Sequence, residues 1–234
     1  MEISPGLEIV RTALWLTTEK ILIVNDLHLG YEEALHRKGI LVPKFQLQEI
    51  IKEMESIISQ VKPTKIIVNG DLKHEFGTVL KQEWKEVLLF LDFCLRNCKE
   101  VIIIQGNHDP LIKPIAEKRG IMILREYKIG NTIIVHGDKI IPTNAKRLII
   151  GHEHPAITIW EGSKKEKYKC FLKGKWKGKE IIAVPSFNPL LEGTDILKEQ
   201  LLSPFLENIT NFQVYVVSKG DVFEFGKVKD ILQK

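Results

Sequence analysis

The 234-residue sequence predicts an α/β protein built from two sheets. Two observations carry that expectation. In the first half, short continuous apolar runs alternate with long segments whose apolar residues recur at helical spacing, the pattern of crossover units around a parallel sheet. From Ile121 onward, short strand-like segments are separated by turn pairs such as Gly130-Asn131, Gly137-Asp138 and Gly220-Asp221, which points to a second, more antiparallel sheet packed on the first.

The elements follow in order. Lys20 to Val24 is a buried-strand run ending at Asn25-Asp26. Phe45, Leu47, Ile50, Ile51, Met54, Ile57, Ile58 and Val61 mark the first long helix, with Lys and Glu on its other face. Lys65 to Asn69 is the second buried strand, Trp84 to Cys98 the second long helix, and Val101 to Gln105 the third strand. The later strands are expected at Tyr127–Ile129, Thr132–Val135, Arg147–Ile150, Ile157–Trp160, Tyr168–Leu172, Ile181–Val184, Gln213–Val217 and Val222–Phe225. Pro185 to Gly193 is a loop, and Ser203-Pro204 interrupts a last helical stretch. A single domain over 1–234 is expected, with residues from about 190 to 234 completing the second sheet.

Composition narrows the class. A chain 44% hydrophobic and 27% charged excludes disorder, collagen and coiled coil, and a net charge of +4 is too small to argue for nucleic acid by itself. No run approaches the roughly 18 apolar residues of a membrane helix, and Met1-Glu2-Ile3-Ser4-Pro5 has no export-signal pattern. Cys94, Cys98 and Cys170 are too few and too irregular for a disulfide framework; Cys94 and Cys98 read as buried thiols on a helix. A cytoplasmic setting is the expectation.

The unusual polar residues fall at strand ends: Asp26-Leu27-His28, Gly70-Asp71, Gly106-Asn107-His108-Asp109, His136-Gly137-Asp138 and Gly151-His152-Glu153-His154. Ligands bind at the carboxyl ends of strands in open parallel sheets, so the first three clusters should converge. Imidazole, carboxylate and one amide, with no thiolate, suit Mn, Fe or Zn rather than a structural thiolate site. Two ions about 3.5–4 Å apart would activate a bridging water and clamp an in-line displacement at phosphorus. Asp-x-His and Gly-Asp are weak motifs singly; together in this order they are specific.

In that order and approximate spacing the five motifs resemble the calcineurin-like metallophosphoesterases. Within them, Asp26 to Glu32, Gly70 to Phe76 and Pro185-Ser186-Phe187-Asn188-Pro189 look like the archaeal group related to the nuclease subunit of SbcCD, which is similar to bacterial phosphoesterases associated with DNA ligases. The resemblance implies a four-layer αββα sandwich of two mixed β-sheets flanked by helices. It implies one metal on Asp26, His28, Asp71 and His154, and a second on Asp71, Asn107, His136 and His152, with Asp71 bridging. His108 would face substrate and protonate the leaving oxygen or stabilise charge on the phosphoryl group while a bridging hydroxide attacks phosphorus in line, and Asp109 would orient His108. The cofactor is then two divalent ions, manganese for assay, with iron, zinc or nickel as alternatives.

Four features stand outside this pattern. His74 either contacts substrate or bonds a neighbouring loop, His36 is expected at the surface, and Asp138 as a turn residue. Between residues 161 and 180, eight lysines against three glutamates give a local excess of five positive charges, leaving −1 for the remainder. With Tyr168, Phe171 and Trp176 interleaved, this segment suits either nucleic-acid stacking or a lysine-guarded sheet edge. The implied partner is a phosphate ester, DNA or RNA included, with no membrane and with the oligomeric state open, a homodimer included. Nuclease, small-molecule phosphodiester or nucleotide hydrolase, and non-catalytic scaffold are the competing functions.

Overall fold

The computed structural model describes residues 1–76, 80–162 and 164–232, and the backbone but not the side chain of Glu161. Strands β1 (Glu2–Ser4), β2 (Leu7–Val10), β3 (Ala13–Leu16) and β4 (Ile21–Asn25) form an antiparallel meander. Helices α1 (Tyr31–Arg37) and α2 (Gln46–Val61) lead to β5 (Lys65–Asn69), α3 (Lys81–Asn97) to β6 (Glu100–Ile104), and α4 (Lys113–Lys118) to β7 (Met122–Leu124). Strands β4 to β7 run parallel, so the first sheet is mixed and ordered β1 to β7.

The second sheet contains β8 (Glu126–Ile129), β9 (Thr132–Val135), β10 (Arg147–Ile150), β11 (Pro155–Glu161), β12 (Lys164–Trp176), β13 (Lys179–Ala183), β14 (Thr194–Asp195), β15 (Gln213–Ser218) and β16 (Asp221–Lys227), followed by the single turn α5 (Val228–Ile231). Its order is β14-β11-β12-β13-β10-β9-β8, and β15 joins β12 with β16 beyond it. The pairs β8–β9, β11–β12, β12–β13, β12–β15 and β15–β16 are antiparallel as expected, whereas β9, β10 and β13 run parallel at the centre and the edge strand β14 runs parallel to β11.

Alternation along the strands explains the layers. In the first sheet Leu22, Val24, Ile66, Val68, Val101 and Ile103 face the helices, while Ile21, Ile23, Ile67, Ile102 and Ile104 face the second sheet. There they meet Ile134, Ile149, Phe171 and Ile182. Each such side chain contributes about 1.5–3 kcal/mol on burial, so this dry layer fixes the sheets against each other. The opposite face of the second sheet is covered by Ile196, Phe205, Leu206, Ile209, Phe212 and Val228.

The architecture is thus α/β, with two mixed sheets flanked by helices. Three local differences from the sequence expectation stand out. The β1–β3 meander was not foreseen, because strands of three and four residues carry little periodic pattern. No helix occupies the Ser203-Pro204 region; Glu153 Oε2 accepts the N–H groups of Leu202 and Ser203 at 2.7 and 2.8 Å, fixing an irregular segment instead. His36 is half-buried rather than a surface residue, and its Nε2 stands 2.6 Å from the Val42 carbonyl oxygen. Among the described residues, no helix is long and apolar enough to cross a membrane.

Candidate metal centre

All five motifs leave the carboxyl ends of parallel strands: β4, β5 and β6 in the first sheet, β9 and β10 in the second. Backbone pairing continues past β4 and β5, with His28 N–H on the Asp71 carbonyl and Leu29 N–H on that of Leu72, both at 2.9 Å. The loop after β13 adds a cross-sheet support. Ser186 Oγ donates to the Asp26 carbonyl and Phe187 N–H to that of Asn25, both at 2.7 Å. Lys169 Nζ donates to the carbonyls of Ser186 and Asn188, holding that loop from behind.

Asp71 is the hub. Its Oδ1 accepts the His108 N–H at 2.9 Å, which turns Oδ2 toward His136 Nε2 at 3.6 Å, His28 Nε2 at 3.8 Å and His108 Nε2 at 3.9 Å. Asp26 works similarly: Oδ2 accepts the His152 N–H at 2.9 Å and lies 3.4 Å from His154 Nε2, while Oδ1 lies 3.3 Å from His136 Nδ1. Asn107 Oδ1 is 2.8 Å from His136 Nε2, His152 Nδ1 is 3.2 Å from it, and His28 and His154 approach to 3.4 Å. The structure therefore brings together Asp26, His28, Asp71, Asn107, His136, His152 and His154, with His108 alongside.

The backbone is bent to achieve this. Asp26, His28, His152 and His154 have φ of 48°, 44°, 64° and 50°, a left-handed conformation that costs on the order of 1 kcal/mol or more per residue and persists only where its surroundings enforce it. Gly70, at φ +90°, admits no side chain: a Cβ there would fall 2.1 Å from His136 Nδ1 and 2.4 Å from Asp26 Oδ1.

Electrostatics follow from packing seven polar groups into a largely buried site. Burial opposes ionisation of Asp26, yet the charges and hydrogen bonds of His154 and His136 outweigh it and hold the carboxyl far below the usual range. Burial likewise opposes the charge on His136, but Asp26 and Asp71 raise it to about 9. Burial and neighbouring imidazoles lower His152 and His74 to about 4, and lower His28 as well. Burial raises Asp71, with the Asp26 charge adding to it.

The donor set fits divalent ions. His28 Nδ1 is buried without a hydrogen-bond partner, and Asp26 Oδ1 and His136 Nδ1 meet only each other, at 3.3 Å; a buried polar atom left unpaired costs about 1–3 kcal/mol unless something else binds nearby. Among the described residues, two overlapping clusters, His28-Asp71-His108 and Asp71-His136-His152, hold their donor atoms within 4.8 Å of one another. Nitrogen and oxygen donors without thiolate suit Mn, Fe or Zn.

The sequence of the chain decides the family, because the calcineurin-like phosphoesterase profile matches residues 19–218 and so spans every motif. The chain belongs to the calcineurin-like phosphoesterase family. It is a phosphoesterase family that uses divalent metals, in agreement with the donor set. Among solved structures this calcineurin-like chain is similar to the Pseudomonas putida nuclease MPE, with 17% identity, TM-score 0.67 and 94% of each chain covered. It is also similar to the E. coli phosphoesterase YfcE, with 13% identity, TM-score 0.43, and 87% and 96% covered. The Cryptosporidium parvum vacuolar protein sorting 29 gives 18% identity, TM-score 0.41, and 88% and 97% covered. At these identities the likeness is one of fold. No curated protein matches the sequence.

One assignment needs correction. Asp109 does not orient His108: its buried carboxylate accepts the backbone N–H groups of Leu72, Lys73 and Gly106 at 3.1–3.3 Å. Burial and the Asp71 charge raise it to about 7. The His108 ring is instead held by the His74 carbonyl, 2.5 Å from Nδ1. The His74 ring itself packs on Tyr31 and His28, at centroid distances of 4.8 and 5.5 Å.

The three aromatic residues of the basic segment do not share one face. Strand alternation puts Tyr168 and Trp176 on the face of β12 opposite Phe171, and Phe171 is fully buried between the sheets. Lys167 pairs with Glu199 at 3.2 Å, Lys169 caps the loop described above, Lys173 reaches the Ile3 carbonyl at 2.5 Å, and Lys179 reaches that of Thr143. Ser163 lies outside the described residues. Asp138 sits in a turn, 3.8 Å from Lys139.

Proposed function

We propose that this chain is a metal-dependent phosphodiesterase acting on nucleic acid, with His108 as the proton donor to the leaving oxygen. The observation that carries it is the convergence of His28, Asn107, His136, His152 and His154 on the carboxylates of Asp26 and Asp71, with the His108 ring at their rim. Asp26, His28, Asp71 and His154 would hold one ion, and Asp71, Asn107, His136 and His152 a second; when bound, such a pair lowers the pKa of water and neutralises phosphoryl charge.

The protein's own residues supply the rest. A carbonyl only accepts, so His108 Nδ1 carries the hydrogen toward His74, which leaves Nε2 as the atom presented to the centre. The His108 side chain is 27% exposed, against 5% for His28, so it stands where substrate enters rather than inside the donor shell. Protonated at Nε2, it delivers that proton as the ester P–O bond breaks and stabilises charge on the phosphoryl oxygens before it does. Asp71 ties the two roles, since one oxygen fixes the His108 backbone and the other faces the donors.

Nucleic acid as substrate draws on the motif resemblance to phosphoesterases related to SbcCD and to DNA ligases. A panel of a model monoester, a model diester, nucleotides, and single- and double-stranded DNA under manganese tests it, with His108→Ala as the blank. Cleavage of diester and DNA by the native protein alone supports the proposal. Turnover confined to monoesters or to nucleotides overturns it, and so does full activity in the blank.

A further inference from the structure

We propose that the groove leading from Asn107 and His136 to Arg125 is a second anion subsite, which takes a phosphate neighbouring the one cleaved. This deepens the function proposed above, on which it rests, by making an extended polyphosphodiester strand the substrate class. The cavity measures about 520 Å³, and its walls include Gln105, Asn107, Arg125, His136, Asp138 and Lys139.

The topology explains why this groove opens on the centre. Strands β6 and β7 are parallel neighbours, and Gln105 N–H donates to the Leu124 carbonyl at 2.9 Å just beyond them. The chain leaving β6 turns inward as Gly106-Asn107, while the chain leaving β7 exposes Arg125 in the groove beside it. The opposite wall follows β9 and runs His136, Gly137, Asp138, Lys139. Thus each wall begins at a donor of the centre and carries a cation farther out, Arg125 beside Glu126 on one side and Lys139 beside Asp138 on the other.

Charge accounting singles out Arg125. Asp138 lies 3.8 Å from Lys139, and Glu126 lies 2.6 Å from Lys128. The Arg125 guanidinium forms neither hydrogen bond nor ion pair among the described residues, so no carboxylate has claimed it. A planar fork of N–H donors matches the paired oxygens of a phosphate. A simple diester has no second phosphate to reach this position; a strand does.

The test measures kcat and KM of the manganese-loaded full chain on a short single-stranded oligodeoxynucleotide and on bis(p-nitrophenyl) phosphate, across a salt series. Arg125→Ala should raise the oligonucleotide KM by about tenfold with kcat little altered, and should flatten the log–log salt dependence by about one phosphate contact, a slope change near 0.7. Its effect on the simple diester should be at least several-fold smaller, and Arg125→Lys should restore most of the salt slope. Equal losses on both substrates, or an unaltered oligonucleotide KM and slope, overturn the subsite. Native protein that cleaves the simple diester but no oligonucleotide overturns both the subsite and nucleic acid as the substrate. Native protein that cleaves neither overturns the phosphodiesterase function itself.

Discussion

His108 Nδ1 stands 2.5 Å from the carbonyl oxygen of His74, so a backbone atom, and no carboxylate, sets the tautomer of this imidazole. The His74 carbonyl is itself placed by α3, because Glu83 Oε1 accepts the N–H groups of His74 and Glu75 at 2.9 and 2.7 Å. Replacing His108 with Ala should therefore leave metal content intact while lowering kcat by about 10²–10⁴-fold, the usual worth of a positioned acid. Asp71→Asn should lose metal and turnover together. Metal analysis of both purified variants beside a diester assay distinguishes the two effects.

Asp109→Asn probes scaffold, not acid catalysis. An amide cannot accept from Leu72, Lys73 and Gly106 as a carboxylate does, and each buried N–H left unpaired costs about 1–3 kcal/mol. Thermal unfolding should shift well downward, whereas kcat of the metal-loaded variant, assayed well below its melting temperature, should stay within a few-fold of native. A hundredfold loss of kcat with unaltered stability would restore the direct pairing of Asp109 with His108.

Gly70→Ala should weaken metal binding by at least tenfold, because its Cβ would displace His136 and Asp26. Gly130→Ala, also at positive φ but with open space around it, serves as the control and should lower stability without altering metal affinity. Calorimetric titration with manganese separates them.

The far end of the sandwich predicts an acid response. Glu180 accepts from Ser4 Oγ at 2.7 Å and Arg147 Nε at 2.5 Å, and lies 3.5 Å from Lys173. Burial opposes its charge, but the Ser4 hydroxyl and Arg147 hold the carboxyl below its ordinary 4.5. A depressed folded value means the stabilisation is complete above pH 4.5 and fades as pH falls through the lower folded value. Glu180→Gln should cost about 1 kcal/mol at neutral pH, discounted for partial exposure, and should flatten the acid limb of stability in urea titrations. Parallel acid limbs for the two proteins would count against it.

What could be read from sequence follows from where information is local. The strand ending at Asn25 and the helix bearing Ile50, Met54 and Ile57 announce themselves by apolar runs and periodicity, and every donor sits directly after such a strand. Adjacency suggests that Asp109 pairs with His108, yet the turn after β6 points its carboxylate back at three N–H groups from two loops. Phe171 and Tyr168 look interleaved in a linear reading, but the two-residue period of β12 sends them to opposite faces. Ser186 and Lys169 support the Asp26 backbone from across the sheet interface, a relationship between distant segments that no local pattern encodes. Arg125 carries no motif at all; only the groove gives it meaning.

Asp26, Asp71 and Asn107 come from one sheet, and His136, His152 and His154 from the other. Ions held between them would rivet the joint of the two sheets, so occupancy should resist shear between the layers as well as serve chemistry. Core substitutions far from the centre, Phe171 among them, will then register as weakened metal retention before they register as unfolding.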